Sequence, residues 1–359
     1  MARGSPYLYV SYAQAIRLVK EPYQRVLIVL AVLALLLIPI TSSTFFLRLL
    51  SMSFLVLISA VGLNLLTGYC GQLSLGHAGF MAIGAFTTVI LVTLAHLPFW
   101  ITVPAGAIAG ALLGALVGLP SLRFRGIYLA IATLAMHYSI VYLLTLYQAN
   151  IGPSATAGIP IPTASIGPFR FTGEVSWYYL LLVIAAAVVV FGLNLARGRA
   201  GRAWVAIRDR EIAAAALGVE VARYKLYAFM VSAGLAALAG ALGAYFTAVV
   251  TVEEFTLELA IFYIGVIIVG GMGSILGTIF GSFFLTLLPF GIDRVFEFLP
   301  SEWRYGSTLF GVQQAAIGIC VIAFLLFESK GLVEIYRRIA EYFERWPFRY
   351  RELQAQGRR

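Results

Sequence analysis

The sequence predicts an all-α fold, a polytopic transmembrane helix bundle of about ten spans with interrupted helices and both termini cytoplasmic. Three observations carry that expectation. The chain of 359 residues is 61% hydrophobic and only 11% charged, too few ionisable side chains to cover a water-facing surface. Its charges gather in short clusters between long uncharged runs. Those runs divide into lengths of about 20 residues, the number a helix needs to cross the hydrocarbon at 1.5 Å rise each.

Residues 1–25 are fairly polar and form an N-terminal segment expected on the cytoplasmic side. A secretory leader has a short basic start and an early small-residue cleavage site, so the first apolar run reads as an uncleaved span. One span fits between Arg25 and Arg48. The 74 uncharged residues between Arg48 and Arg123 hold three, divided at the glycine-rich Thr67 to His77 stretch and at the turn His96 to Pro98. Later spans read as Ile127 to Gln148, Trp177 to Leu195, Leu226 to Thr247 and Leu309 to Phe327. Leu259 to Ile292 is uncharged for 34 residues and interrupted by GGMGSILG, long for one pass and short for two. A transmembrane domain over 26–327 follows, with an outer loop at 149–176, a cytoplasmic loop at 196–225 and a basic cytoplasmic tail at 328–359.

Charge placement arbitrates the ambiguous piece. The formal balance is +9, from 25 Lys and Arg against 16 Asp and Glu, and membrane proteins concentrate Lys and Arg on the cytoplasmic side. If Leu259 to Ile292 crosses twice, only Arg48, Arg170, Arg294 and Arg304 fall outside. A single pass would move the tail and its eight Lys and Arg outward. Two passes satisfy the rule, and the same clustering argues against nucleic acid as the partner. Ten spans also divide into five and five, the inverted-repeat plan of many transporters. Gly71, Ser74 and Gly76 against Gly271, Ser274 and Gly277 are loosely similar interruptions; glycine-rich helix crossings produce the same pattern.

Cys70 and Cys320 lie in apolar stretches without ligand spacing, which argues against a disulfide framework or a metal site. No Asp, Glu, Lys or Arg falls inside an expected span, whereas a proton-coupled carrier needs an intramembrane titratable group. His137, in mid-helix, reads as packed and hydrogen-bonded. There is no GxxxxGK[ST] loop, so ATP would be bound by a partner and no cofactor is expected on this chain. The 149–176 loop is too short to capture a solute alone. Nucleophile-base patterns and HExxH are missing, which argues against an embedded enzyme.

The loop at 196–225 is far longer than two spans require. Asp209 and Glu211 near the start of Ala213 to Ala216, with Gly218 after it, are helix start and stop signals. A short Ala-rich helix along the membrane face suits either a groove in a soluble protein or anionic lipid.

The spacing of Ala213, Ala214 and Gly218 resembles the EAA loop by which ABC-importer permeases engage their ATPase subunits, although Ile212 stands where that loop has Glu and Glu211 is one residue early. GVEVARYKLYAFMVSAGLAALAGALGAYF from Gly218 to Phe246 resembles the branched-chain amino-acid permease family. So do GQLSLGHAGFMAIGAF from Gly71, RGIYLAIATLA from Arg125 and VGGMGSILGTIFG from Val269. These segments keep the family's order over Asn64 to Gly331, but NIGPSATAGIP from Asn150 replaces the TGG-type stretch of the outer loop, and urea and amide carriers share the scaffold. The resemblance implies an ABC-importer subunit in a bacterial or archaeal plasma membrane. It also implies two ATPase subunits, a homologous second permease and an extracytoplasmic solute-binding protein. Coupling would fall to Glu211, Ala213, Ala214 and Gly218. A path for a zwitterion needs polar groups without fixed charge, which selects Gln72, Ser74, His77 and Ser274 on the interrupted helices. The competing reading is a stand-alone secondary transporter or channel for a small neutral solute.

Overall fold

In lipid every backbone polar group must be satisfied internally, so an uncharged run of this length has the helix as its solution. The computed structural model describes residues 22–124, 126–151, 158–166, 169–296, 306–328 and 330–345. Arg125, Arg304 and the outermost parts of the two terminal segments lie outside them.

Helix α1 spans Pro22–Thr41 and α2 Thr44–Leu63, the latter capped by Ser43, whose Oγ accepts from Phe46 N at 3.3 Å. Helix α2 continues as a π-helical turn over Asn64–Tyr69. Next come α3 (His77–Ala95), α4 (Phe99–Ser121), α5 (Ile127–Ile151) and α6 (Glu174–Arg197). Two short helices follow, α7 (Arg199–Asp209) and α8 (Glu211–Ala216), before α9 (Val221–Thr247). The uncharged run at Leu259 to Ile292 is two helices, α10 (Leu257–Gly270) and α11 (Ile275–Phe296), meeting at Gly271 to Ser274. Helix α12 (Gly306–Phe327) bends by 54° into α13 (Leu332–Arg345).

The result is an all-α polytopic bundle. Among the described residues seven helices are long and apolar enough to cross a membrane, eight if the bent pair counts as one span. Helix α10 has 14 residues, about 21 Å, shorter than a hydrocarbon core of about 30 Å. These seven or eight are fewer than the ten spans the sequence suggests.

Helix α9 is the centre of the packing. A Cβ at Gly84 of α3 would lie 1.9 Å from Ala237 O, and one at Gly240 of α9 would lie 2.0 Å from Met81 O. These two helices cross backbone against backbone, the arrangement small residues permit when lipid supplies no hydrophobic drive. At the opposite end from α7 and α8, residues 158–166 and 169–173 are not the plain loop their composition suggests. Ile159–Pro160 (β1) pairs antiparallel with Val249–Val250 (β4), and Ser165–Ile166 (β2) with Phe169–Arg170 (β3). Gln148 Oε1 accepts from Val252 N at 2.9 Å, and Arg48 meets Glu174 at 3.5 Å.

Candidate functional site

Both Gly/Ser interruptions lie at the same end of the bundle, against the α7 and α8 segment. The first begins where α2 leaves α-geometry. Asn64 opens the π-helical turn, and its amide bonds across 209 residues or more of sequence: Nδ2 donates to Ser274 O at 2.9 Å and to Thr278 Oγ1 at 2.6 Å, while Oδ1 accepts from Gly273 N at 2.8 Å. One buried side chain thus stitches the first interruption to the second.

Arg208, at the end of α7, joins the same knot. Its Nη1 donates to Gly68 O at 2.7 Å, a carbonyl that the π-turn exposes near its C-terminal end. The remaining guanidinium nitrogens approach Asp209 Oδ1 at 3.4 and 3.5 Å. On the other flank Lys225, only 2% exposed, donates to Glu211 Oε1 at 2.9 Å. Trp204 Nε1 donates to Tyr224 O at 2.8 Å, fixing α7 to the start of α9.

Helix α8 therefore has fixed ends and a free face. Arg210, extended at φ −155°, separates it from α7, and Gly218 at φ +84° closes it, its N–H donating to Ala215 O at 3.0 Å. Ala214 is buried against the bundle. Ala213 is exposed, as are Ile212 (80%) and Leu217 (84%). Ile212 and Leu217 thus lie uncovered on a segment that charged groups pin to the bundle.

The four residues selected for a polar path fall into different settings. Gln72 is 6% exposed, and its Oε1 has no hydrogen-bond partner among the described residues. Ser74 is buried, and its Oγ accepts from Gly76 N at 3.4 Å. His77 is 1% exposed; its Nε2 lies 2.8 Å from Ser59 Oγ, and its ring meets Tyr263 edge-on at 5.1 Å. Ser274 is half-buried and its Oγ accepts from Gly277 N at 3.2 Å. Among the described residues Gln72 lines a cavity together with Glu211, one of the residues that the EAA-loop resemblance singles out. That cavity, about 210 Å³, is also lined by Cys70, Arg208 and Lys225.

His137 is packed as expected, its ring 5.4 Å from Tyr138, but its Nδ1 lacks a hydrogen-bond partner among the described residues. Sequence reasoning missed Asn64, Arg208 and Lys225. Lys225 was legible only as one more positive charge of a cytoplasmic loop, yet it sits beneath Glu211. Among the described residues no group of three His, Cys, Asp or Glu is placed to hold a metal.

Comparison with known proteins matches residues 45–312 to the family described as branched-chain amino acid transport system / permease component. The chain is 36% identical over 260 residues to the high-affinity branched-chain amino acid transport system permease protein LivM of Salmonella typhimurium and 35% identical to that of Escherichia coli. Each match covers 66% of this chain and 61% of the relative, so the chain spans about three-fifths of the length of these proteins. It is 32% identical over 219 residues to the autoinducer 2 import system permease protein LsrC of Klebsiella pneumoniae, covering 58% of this chain and 59% of that one. No solved structure matches. With three-quarters of its length matched, from the first buried span to α12, the chain belongs to the family of branched-chain amino acid transport system permease components.

Proposed function

We propose that this chain is the membrane-spanning permease subunit of an ABC importer. It translocates branched-chain amino acids, or a similar small polar solute, across the plasma membrane of a bacterium or archaeon. Two partner subunits hydrolyse ATP, a homologous permease completes the pore, and an outer binding protein delivers the solute. Ten spans with both termini cytoplasmic put α7, α8 and both interruptions on the ATPase side. The carrying observation is the bare Ile212 and Leu217 pair on a helix anchored at Glu211 to Lys225 and, through α7, at Arg208 to Gly68. Family membership supports the reading, and the branched-chain amino acids for which the LivM relatives are named support the solute class.

Mechanistically, ATP-driven movement of α8 turns α7, and Arg208 carries that turn to the end of α2. Asn64 passes it to the α10 and α11 junction. Gln72, Ser74, His77 and Ser274 line or border the path that this shift opens and shuts, while Ala213, Ala214 and Gly218 shape the docking helix. A ligand or nucleotide moves such an equilibrium only by binding the two states unequally, and ATP does so through α8.

The test is Ile212→Asp together with Leu217→Asp in the assembled complex. Neither side chain supports the fold, so the variant inserts normally. We expect the ATPase subunits to be lost on detergent purification, with uptake below a tenth of the parent. Retention of stoichiometric ATPase would remove α8 as the docking element.

A further inference from the structure

We propose that the cavity between the first interruption and the α7/α8 segment is a binding site for the zwitterionic head group of a small amino acid. It is occupied from the same side as the ATPase subunits. This deepens the permease reading and rests on it for the class of solute.

The cavity's size, about 210 Å³, falls below the roughly 300–1,000 Å³ of sites for drug-sized ligands, so a small occupant is required. Its lining supplies both halves of a zwitterion's complement. Glu211 presents a carboxylate, while Arg208 and Lys225 present a guanidinium and an ammonium. Gln72 adds a buried acceptor that no donor among the described residues satisfies. Acceptors in such surroundings are costly when unmade. An amino-acid ammonium has three donors and can serve Glu211 and Gln72 Oε1 together; the accompanying carboxylate then meets Arg208 or Lys225. A zwitterion adds no net charge, so the Glu211 and Lys225 pair can open toward it without leaving either charge uncompensated.

The walls come from two parts that the proposed mechanism moves against each other. Gln72 and Cys70 belong to the interruption, Arg208 and Glu211 to the docking segment. Solute bound between them holds the two in one relative position. Accumulated product therefore slows the cycle from the inner side.

Cys70 lines the cavity, and its labelling is the readout of occupancy. The full chain with Cys320→Ser, reconstituted in nanodiscs without ATPase subunits, is labelled with methyl methanethiosulfonate while L-leucine is titrated in. We expect at least fivefold slower labelling of Cys70 at saturation. Leucinamide and isovalerate, which each carry one half of the head group, should protect less than twofold. Glu211→Gln should weaken the L-leucine effect at least tenfold; Gln72→Leu, which leaves the ion pair intact, should do so at least threefold and carries the test if the first variant fails to insert. Equal protection by isovalerate, or no protection by any of the three, would overturn the site. Because no ATPase is present, a null result leaves the docking of α8 standing, and lost docking in the Ile212 variant leaves Cys70 protection intact.

Discussion

The crossing of α9 over α3 and the attachment of α7 and α8 to the bundle are two ways of holding helices together. At the crossing, Gly84 and Gly240 bring backbones so close that a single added carbon would lie about 2 Å from a carbonyl oxygen. Contact there is continuous and non-polar, made of many small attractions. The α7/α8 segment instead touches the bundle through discrete polar bonds: Arg208 to Gly68, Lys225 to Glu211, Trp204 to Tyr224. An interlocked crossing has one arrangement and loses its contacts together. A segment held at a few polar points can turn about them and exchange one partner for another, so in the proposed mechanism the first is the rigid body and the second its handle.

The largest effect that would break this contrast is at the crossing. Gly84→Leu or Gly240→Leu forces the α3 and α9 backbones apart, and the cost should exceed about 3 kcal/mol, the upper end of ordinary overpacking. We expect no monodisperse protein by size-exclusion chromatography. A folded Gly240→Leu variant with an unchanged melting temperature would show that α9 is not interlocked with α3.

At the handle, Arg208→Ala should behave in the opposite way. It removes the charge-assisted hydrogen bond to Gly68, worth about 1.5–3 kcal/mol, and the longer, exposed contacts to Asp209, from a segment that Trp204 and Lys225 still hold. The assembled complex should therefore purify intact and hydrolyse ATP, while solute uptake per ATP falls roughly tenfold. Lysine at this position keeps the charge but not the guanidinium fork, and should recover uptake only in part. Loss of assembly along with uptake would make Arg208 a structural anchor and nothing more.

What the sequence disclosed follows the same division. Helices in the bundle were legible because the bilayer leaves an uncharged run few alternatives, and the GGMGSILG interruption fell at the junction of α10 and α11, although its last three residues open α11. Gly218 was legible as the end of α8, since a residue at φ +84° is read directly from its type. The knot at the α7/α8 end of the bundle was hidden. Asn64 meets Ser274 across 210 residues and Arg208 meets Gly68 across 140, and no local period announces such pairs. Lys225 looked like surface charge because charge counting assigns a side of the membrane and says nothing of burial. The β1 to β4 pairing was missed too, two-residue strands being too short to alternate.

The smallest test sharpens how the handle is shaped. Gly218→Ala keeps every side-chain contact of α8 but places an L-residue in left-handed backbone, at a cost of about 1–2 kcal/mol. No neighbouring atom would obstruct the added carbon, so the strain is confined to the backbone that closes α8. If part of it is relieved by letting the helix end fray, Leu217 loses its fixed position. Binding of the ATPase subunits should then weaken about fivefold, the equivalent of about 1 kcal/mol, with insertion and melting of the bundle unchanged. Asn, which tolerates this conformation better than Ala, should fall between the two. Equal affinity for all three would mean that the docking partner reads the exposed apolar side chains without needing the closed end of the helix, and that the handle tolerates slack where the crossing does not.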